Sequence, residues 1–136
     1  MPISPPDLAA RGAGFVQFWT ERHLGTLSTV RPDGTAHVVP VGVTLDVATG
    51  LARVICSRGS RKARLVGDAR ARGVAVAICQ VDGRRWSTLE GRAVLRDDPE
   101  SVADAEARYA LRYRTPRINP ERVVLEIAVT RVLGNV

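Results

Sequence analysis

The stretch Ile55-Cys56-Ser57-Arg58-Gly59-Ser60-Arg61-Lys62 joins the end of an apolar strand, a glycine turn and the start of a basic helix. Ser60 is a good N-cap residue, and we expect the helix to continue to about Ala69. A helix start offers free backbone N–H groups, and here two serine hydroxyls and the charges of Arg61 and Lys62 add to them. The stretch therefore predicts a compact phosphate site. A capped surface helix with solvated arginines is the alternative that these residues leave open.

Lys62 is the only lysine among the 20 basic residues of the chain. Every other basic residue is an arginine, so a lysine at this one position favours a specific contact that needs a compact ammonium group. The net charge is +6, and residues 58–72 hold six basic residues against one acidic residue. Residues 108–122 hold five against one. Two basic patches indicate an anionic ligand, although an arginine-rich coding bias accounts for part of the excess.

Apolar runs and turn signals on both sides of this stretch predict six strands and two or three helices. The expected strands are 24–30, 35–45, 51–56, 74–81, 86–95 and 122–132, and the helices are 5–22, 60–69 and 99–113. We expect the first three strands to form a meander. The strands and helices do not alternate regularly, and no glycine-rich nucleotide loop is present, which argues against a parallel sheet. The pattern favours one α+β domain, residues 1–136, built as a small, mainly β barrel.

The composition excludes several other classes of protein. Hydrophobic residues form 45% of the chain and charged residues 25%, an ordinary globular balance. No apolar run is long enough to span a membrane, and the first residues lack the features of a signal peptide, so we expect a cytoplasmic protein. Cys56 and Cys79 are expected to be reduced and buried. His23 and His37 have no companion at metal-ligand spacing, which predicts no metal site.

The order of these features resembles the split-barrel flavoprotein superfamily that includes the pyridoxamine phosphate oxidases. The likeness rests on a strand followed by Ser-x-x-Ser-Arg-Lys and on a strand at 85–91 that ends in a Glu-Gly pair. Within the superfamily, the chain is similar to the deazaflavin-dependent biliverdin reductases of actinobacteria. The similarity is carried by the segments 21–24, 37–39, 80–83, 85–86, 89–93, 108–110, 112–117 and 131–134, together with Ser60 and Lys62. The resemblance implies a split β-barrel of about six antiparallel strands.

The resemblance also implies where a deazaflavin coenzyme, F420, would be held. Residues along one strand would follow the ring, namely His37, Val38, Val39, Pro40 and Val41. A second group would hold the phosphate and the start of the acidic tail, namely Cys56, Ser57, Ser60, Arg61 and Lys62. A third would close the ring pocket, namely Gln80, Val81 and Trp86. The chain departs from the family pattern at Pro40, which lacks a backbone donor, and at Cys56, which replaces a hydroxyl residue.

The implied reaction is hydride transfer from the reduced deazaflavin to a conjugated acceptor, with biliverdin as the expected acceptor. Candidate contacts for acceptor carboxylates are Arg112, Tyr113 and Arg114, and a basic helix end on the surface explains them equally well. No residue pattern marks a catalytic acid. The resemblance implies a homodimer with a cofactor in each of two interface grooves. A split barrel that binds flavin mononucleotide or heme without reductase activity, and a basic nucleic-acid-binding module, are the alternatives.

Overall fold

A computed structural model describes residues 6–67 and 73–136, and its helices and strands follow the predicted order. The helices are a short 3-10 turn at Ala9–Arg11 and three α-helices, α1 Ala13–Thr20, α2 Arg61–Gly67 and α3 Pro99–Arg112. The strands are β1 Gly25–Val30, β2 Ala36–Val41, β3 Val43–Asp46, β4 Leu51–Ser57, β5 Val74–Asp82, β6 Arg85–Arg96 and β7 Arg122–Gly134. The expected end of α2 at Ala69 lies outside the described residues.

The seven strands form one antiparallel sheet in the order β2-β1-β5-β6-β7-β4-β3. Both pairings of the expected meander are present, since β1 pairs with β2 and β3 pairs with β4, but its middle strand is broken into two. The apolar run from residue 35 to residue 45 is two strands, separated at Gly42. Since these two strands end the sheet at opposite edges and only Gly42 joins them, the sheet must curl until its edges meet there. This arrangement confirms the expected split barrel, with seven strands instead of six.

Gly42 is required at this bend because two aromatic rings pack against it. A β-carbon built on Gly42 would lie 2.8 Å from Cε2 of Tyr109 and 3.2 Å from Cε2 of Tyr113. The Tyr113 hydroxyl donates to the carbonyl oxygen of His23 at 2.6 Å and accepts the N–H of Val43 at 3.0 Å. Helix α3 is therefore fastened to the point where the barrel closes.

The expected N-terminal helix over residues 5–22 is shorter and is interrupted. Gly12 adopts a φ of 95°, which ends the 3-10 turn and begins α1 one residue later. Glycine adopts a positive φ without steric strain. Gly12, which lowers the helix propensity of this segment, therefore also breaks the helix. Phe15, Phe18 and Trp19 of α1 are buried. Residue 5 lies outside the described residues.

The end of α1 is tied to the β5–β6 hairpin by an ion-pair cluster. The Arg85 guanidinium lies 2.7 Å from a carboxylate oxygen of Asp82 and 3.1 Å from one of Glu21. Glu21 also contacts Nε2 of His23 at 2.9 Å, so His23 has a partner that the sequence did not reveal. The hydrogen bonds from Arg85 and His23 lower the pKa of Glu21 to about 2.

The described helices include none that is long and apolar enough to cross a membrane. Cys56 is buried and Cys79 is half-buried, and both are free thiols. The expectation of two reduced cysteines agrees with this arrangement, although Cys79 is less buried than expected.

We predict that Gly91→Ala destabilises the fold strongly. The ladder between β6 and β7 shifts register between Glu90 and Gly91, and a β-carbon at Gly91 would overlap the carbonyl oxygen of Ala128. Relief of that overlap requires movement of two paired backbones, so we expect a loss of about 2 kcal/mol or more in the free energy of unfolding. Urea denaturation measures it. The control is Gly14→Ala in α1, where a β-carbon would meet no side chain or other part of the fold within 4 Å. Equal stability of the two variants would contradict this account of the bulge.

Candidate functional site

A cavity of about 450 Å³ opens where the barrel closes. Its walls are the bend between β2 and β3, the end of β4, the start of α2 and the segment that follows α3. The lining residues are Pro40, Val41, Gly42, Ile55, Cys56, Ser57, Lys62, Tyr109, Arg114, Thr115, Pro116, Arg117, Asn119 and Arg122. Three segments distant in sequence, 40–42, 55–62 and 109–122, therefore contribute to one site.

The cavity is strongly cationic. Lys62, Arg114, Arg117 and Arg122 line it, and no acidic residue does within the described ranges. Arg122 is paired with Glu106 at 2.7 Å. Lys62, Arg114 and Arg117 have no ion-pair partner among residues 6–67 and 73–136. Unbalanced positive charge in a cleft attracts and concentrates anions, so the cavity is suited to an anionic ligand.

Hydrogen bonds hold the phosphate-site stretch in place. The Ser60 hydroxyl accepts the N–H of Ala63 at 3.3 Å, as expected for a capping serine at the start of α2. The N–H of Arg58 donates to the carbonyl oxygen of Glu121 at 2.8 Å, which fixes the turn against β7. The Ser57 hydroxyl oxygen accepts a hydrogen bond from Nδ2 of Asn119 at 2.9 Å. The Ser57 hydroxyl proton is thereby left to donate to a ligand.

One polar atom of the lining is buried without a partner. Nε of Arg122 is buried and makes no hydrogen bond, whereas Nη1 of the same side chain donates to the Arg117 carbonyl oxygen at 2.7 Å and to Glu106. A buried N–H donor without an acceptor costs about 1–3 kcal/mol. The lining thus contains an unused donor next to unbalanced cations, which fits a bound anion better than an apolar ligand.

The cavity brings together six of the sixteen sequence-predicted site residues. These are Pro40, Val41, Cys56, Ser57, Lys62 and Arg114. Ser60 and Arg61 directly precede Lys62 at the start of α2 and do not line the cavity. His37, Val38 and Val39 continue along β2, whose other edge has no paired strand. Val81 and Trp86 are exposed opposite one another on β5 and β6, away from the cavity of this chain.

Gln80, Arg112 and Tyr113 have internal partners and do not line the cavity. Arg112 is buried, and its guanidinium donates to Oε1 of Gln80 at 3.0 Å and to the carbonyl oxygens of Glu21, at 2.8 Å, and Val43, at 2.5 Å. Nε2 of Gln80 donates to the Phe18 carbonyl oxygen at 2.8 Å. Burial lowers the pKa of Arg112 and raises that of Tyr113. Ligand contacts by these three residues stay predictions, and in this chain their polar atoms hold the fold together.

The segment after α3 contributes residues that the sequence analysis did not select. Arg117, Asn119 and Arg122 line the cavity, together with Tyr109 from the last turns of α3. The sequence contained one signal for them, the second basic patch at 108–122. The part of this patch after Tyr113 is interrupted by Pro116 and Pro120 and has no strand or helix periodicity, so the pattern did not indicate which side chains face the site.

Two titratable groups report on the charge of the site. Burial raises the pKa of the Cys56 thiol, and a hydrogen bond with Ser60 and the charges of Lys62 and Arg122 oppose that rise only in part. Burial lowers the pKa of His37, and the charges of Arg31, Arg61 and Lys62 lower it further. Cys56 is therefore a protonated thiol and His37 a neutral imidazole near pH 7.

Comparison with known proteins identifies a matching family and a similar protein. The family model described as pyridoxamine 5'-phosphate oxidase matches residues 13–135. A protein from Mycobacterium tuberculosis (strain CDC 1551 / Oshkosh) with the name F420H(2)-dependent biliverdin reductase is 54% identical over 118 residues. That alignment covers 87% of this chain and 83% of the relative.

Solved structures share the fold at lower identity. A structure described as an F420 reductase has a TM-score of 0.66 and 24% identity, covering 90% of this chain and 98% of that one. A conserved hypothetical protein of Mycobacterium tuberculosis has a TM-score of 0.75 and 22% identity, covering 96% of this chain and 88% of that one. At these identities the two structures support the fold alone.

We predict that the pKa of His37 in the free protein lies below its ordinary value of 6.5 and rises when Lys62 is replaced by Ala. Removing one of three nearby positive charges makes protonation of the imidazole easier. Adding inorganic phosphate to the wild-type protein should act in the same direction, since a bound anion offsets those charges. An NMR titration of the ring protons measures both effects. The control is Arg84→Ala at the β5–β6 turn. A His37 pKa that responds equally to both substitutions would contradict the proximity of Lys62.

Proposed function

The chain belongs to the pyridoxamine 5'-phosphate oxidase family, and we propose that it is an F420-dependent oxidoreductase that reduces biliverdin or a closely similar conjugated acceptor. One observation carries the proposal: 54% identity, over most of both chains, to a protein named F420H(2)-dependent biliverdin reductase. The cavity supports it independently, because its cationic lining suits a cofactor that carries a phosphate and an acidic tail.

The residues present fit such a cofactor. Lys62 supplies a charge that no described carboxylate offsets, Ser57 supplies a hydroxyl donor, and Arg122 supplies a buried N–H without an acceptor. We propose that Ser57 and Lys62 hold the phosphate, with Ser60 and Arg61 beside them at the start of α2. A charge-assisted hydrogen bond to phosphate is about twice as strong as a neutral one, so Lys62 should dominate affinity.

The bend between β2 and β3 is the proposed site for the edge of the ring. Pro40, Val41 and Gly42 line the cavity at this bend, and Pro40 has no backbone N–H to donate. Pro40 is tolerated because β2 is an edge strand, where a missing donor breaks no second ladder. We propose that His37, Val38 and Val39 extend this contact along β2.

When bound in its reduced form, the deazaflavin supplies a hydride to an electron-poor carbon of the acceptor, and a proton completes the two-electron reduction. This chain contributes binding, orientation and charge. The neutral His37 imidazole and the protonated Cys56 thiol add no negative charge near the anion. A site without carboxylates avoids repulsion of a polyanionic cofactor, which is consistent with the absence of acidic residues from the described lining.

We predict that Lys62→Ala weakens F420 binding by about ten- to hundredfold, because it removes a charge-assisted contact of about 1.5–3 kcal/mol. Fluorescence titration of the cofactor measures the dissociation constant. Arg64→Ala is the matched control, since Arg64 lies on the same helix, is exposed and does not line the cavity. The melting temperatures of both variants should stay close to that of the wild type. Unchanged affinity in Lys62→Ala would show that the phosphate lies elsewhere.

We propose further that the protein is a homodimer that pairs the outward face of β2, β1, β5 and β6. An antiparallel sheet usually presents polar side chains to water. On β2, β1 and β5 this face instead carries uncharged residues, whereas β6 adds Glu90 and Arg92. The exposed apolar side chains of the face are Val30, Val38, Val81 and Trp86. A second copy on this face would bury them and would bring Val81 and Trp86 of one chain near a cofactor of the other. The two free thiols suit a reducing compartment, so we propose the cytoplasm as the location.

We predict that the wild-type protein has twice the 14.7 kDa chain mass by light scattering, and that Val38→Lys shifts it toward the monomer. Val38 is 55% exposed in the single chain, so lysine there costs little in folding but places a charge inside the proposed contact. The control is Leu111→Lys on α3, where the side chain is 90% exposed. A monomeric wild type that binds one cofactor per chain would refute the dimer.

A further inference from the structure

We propose that a second cavity, between α1, β3 and α3, binds a small aromatic molecule that carries a carboxylate. Its volume is about 180 Å³, and it is lined by Trp19, Thr20, Thr44, Leu45, Arg108, Leu111 and Arg112. Within the described part of the chain, this lining shares no residue with that of the cationic cavity. The second cavity is therefore separate from the site of the proposed function.

The two cavities use different faces of α3. Arg108, Leu111 and Arg112 are three and four positions apart, so they share one face of the helix, and all three line the second cavity. Tyr109 lies on a neighbouring face and lines the cationic cavity. A ligand in the second cavity would therefore contact α3 without entering the cationic cavity.

The Thr44 hydroxyl is the first of two unused donors at the second cavity. Thr44 is 9% exposed, and its Oγ1 is buried and has no hydrogen-bond partner among the described residues. Thr20, the other threonine of the lining, donates its hydroxyl proton to the carbonyl oxygen of Val16 at 2.7 Å. Buried polar groups are almost always hydrogen-bonded, so an unpartnered hydroxyl that lines a cavity points to an acceptor in that cavity.

Arg112 supplies the second donor. A guanidinium has five N–H groups, and hydrogen bonds to three carbonyl oxygens and to Oε1 of Gln80 account for four of them. The fifth is on Nη1 and has no acceptor in residues 6–67 and 73–136. Nη1 also donates to the carbonyl oxygen of Val43, the residue before Thr44. The free N–H and the free hydroxyl therefore belong to neighbouring parts of the lining.

The charge of the lining favours an anionic acceptor. Arg108 lies 3.0 Å from a carboxylate oxygen of Asp104 and 3.5 Å from one of Asp46, so its charge is offset. Arg112 forms no ion pair with a described carboxylate, and the described lining contains no acidic residue. A carboxylate would offset the charge of Arg112 and would offer one oxygen to each of the two free donors.

The rest of the lining fits one aromatic ring. Nε1 of Trp19 donates to the Ser87 hydroxyl oxygen at 3.0 Å, so the indole offers its ring carbons to a ligand. Leu45 and Leu111 add aliphatic surface, and Leu111 lies at the rim, since it is 90% exposed. An apolar cavity of about 150 Å³ holds benzene, so this cavity suits a single ring with one small substituent. Benzoate is the simplest molecule with these features.

The test titrates benzoate into the protein without cofactor and follows the tryptophan indole N–H signals by NMR, with Trp86→Phe identifying the signal of Trp19. We expect saturable binding that moves the Trp19 signal. Thr44→Val keeps the shape of the side chain and removes the hydroxyl, so it should weaken benzoate binding about three- to tenfold. Its melting temperature should not fall, because no described hydrogen bond is lost. The matched control is Thr130→Val on β7, which is exposed and lies outside the second cavity.

Two comparisons separate the second cavity from the cationic one. Lys62→Ala should bind benzoate as the wild type does, since Lys62 lines only the cationic cavity. Toluene, which lacks the carboxylate, should bind more weakly than benzoate and should not distinguish Thr44→Val from the wild type. The proposal is overturned if benzoate leaves the Trp19 signal unmoved, if Thr44→Val and Thr130→Val bind it equally, or if Lys62→Ala abolishes the binding. None of these outcomes bears on the proposed function, because F420 is absent from the titration.

Discussion

The buried guanidinium of Arg112 holds together parts of the fold that are distant in sequence. It lies at the end of α3 and binds the carbonyl oxygens of Glu21 and Val43 and the side chain of Gln80. Through these contacts it joins α3 to the end of α1, to β3 and to β5. No described carboxylate forms an ion pair with it, so hydrogen bonds, together with the rings of Trp19 and Tyr113 beside it, offset the cost of burying its charge. A buried charge without such partners would cost several kcal/mol, and this requirement fixes α3 in one position.

The position of α3 determines the closure of the barrel. Tyr113 follows Arg112 directly and binds the backbone of Val43, one residue after the glycine that joins the two edge strands. Tyr109 packs beside Tyr113, with ring centroids 4.9 Å apart, and lines the cavity. The same helix end therefore closes the barrel, forms one wall of the cationic cavity and directs the segment after α3 across it. The end of α3 therefore stabilises both the fold and the cavity. For this reason the polar residues around Arg112 lie near the cavity without lining it.

The sequence predicted the elements that depend on local chemistry. Asp98 caps α3 through the N–H of Ser101, Ser60 caps α2, and the strand boundaries follow the turn signals. It did not predict the break at Gly42, because the apolar run continues through that residue and only the packing of two tyrosines requires a glycine there. The expected meander is interrupted for the same reason, since its middle strand is split into β2 and β3, which lie at opposite edges of the curled sheet.

The sequence predicted the site residues that belong to one continuous motif, and it missed those that only folding brings to the cavity. Ser57 and Lys62 belong to one continuous motif, and both line the cavity. Arg117, Asn119 and Arg122 lie in a segment without periodicity, so only the folded chain shows that they face Ser57. Gln80 and Arg112 carry the polar groups expected of ligand contacts, but tertiary contacts use those groups internally.

We propose that this cationic cavity binds reduced F420 for the reduction of biliverdin. This is tested by mixing the purified protein anaerobically with reduced F420 and biliverdin and following both chromophores by absorbance. We expect one equivalent of oxidised F420 for each biliverdin reduced, at a rate far above that with reduced flavin mononucleotide. No reduction with F420, or equal rates with the two cofactors, would contradict it.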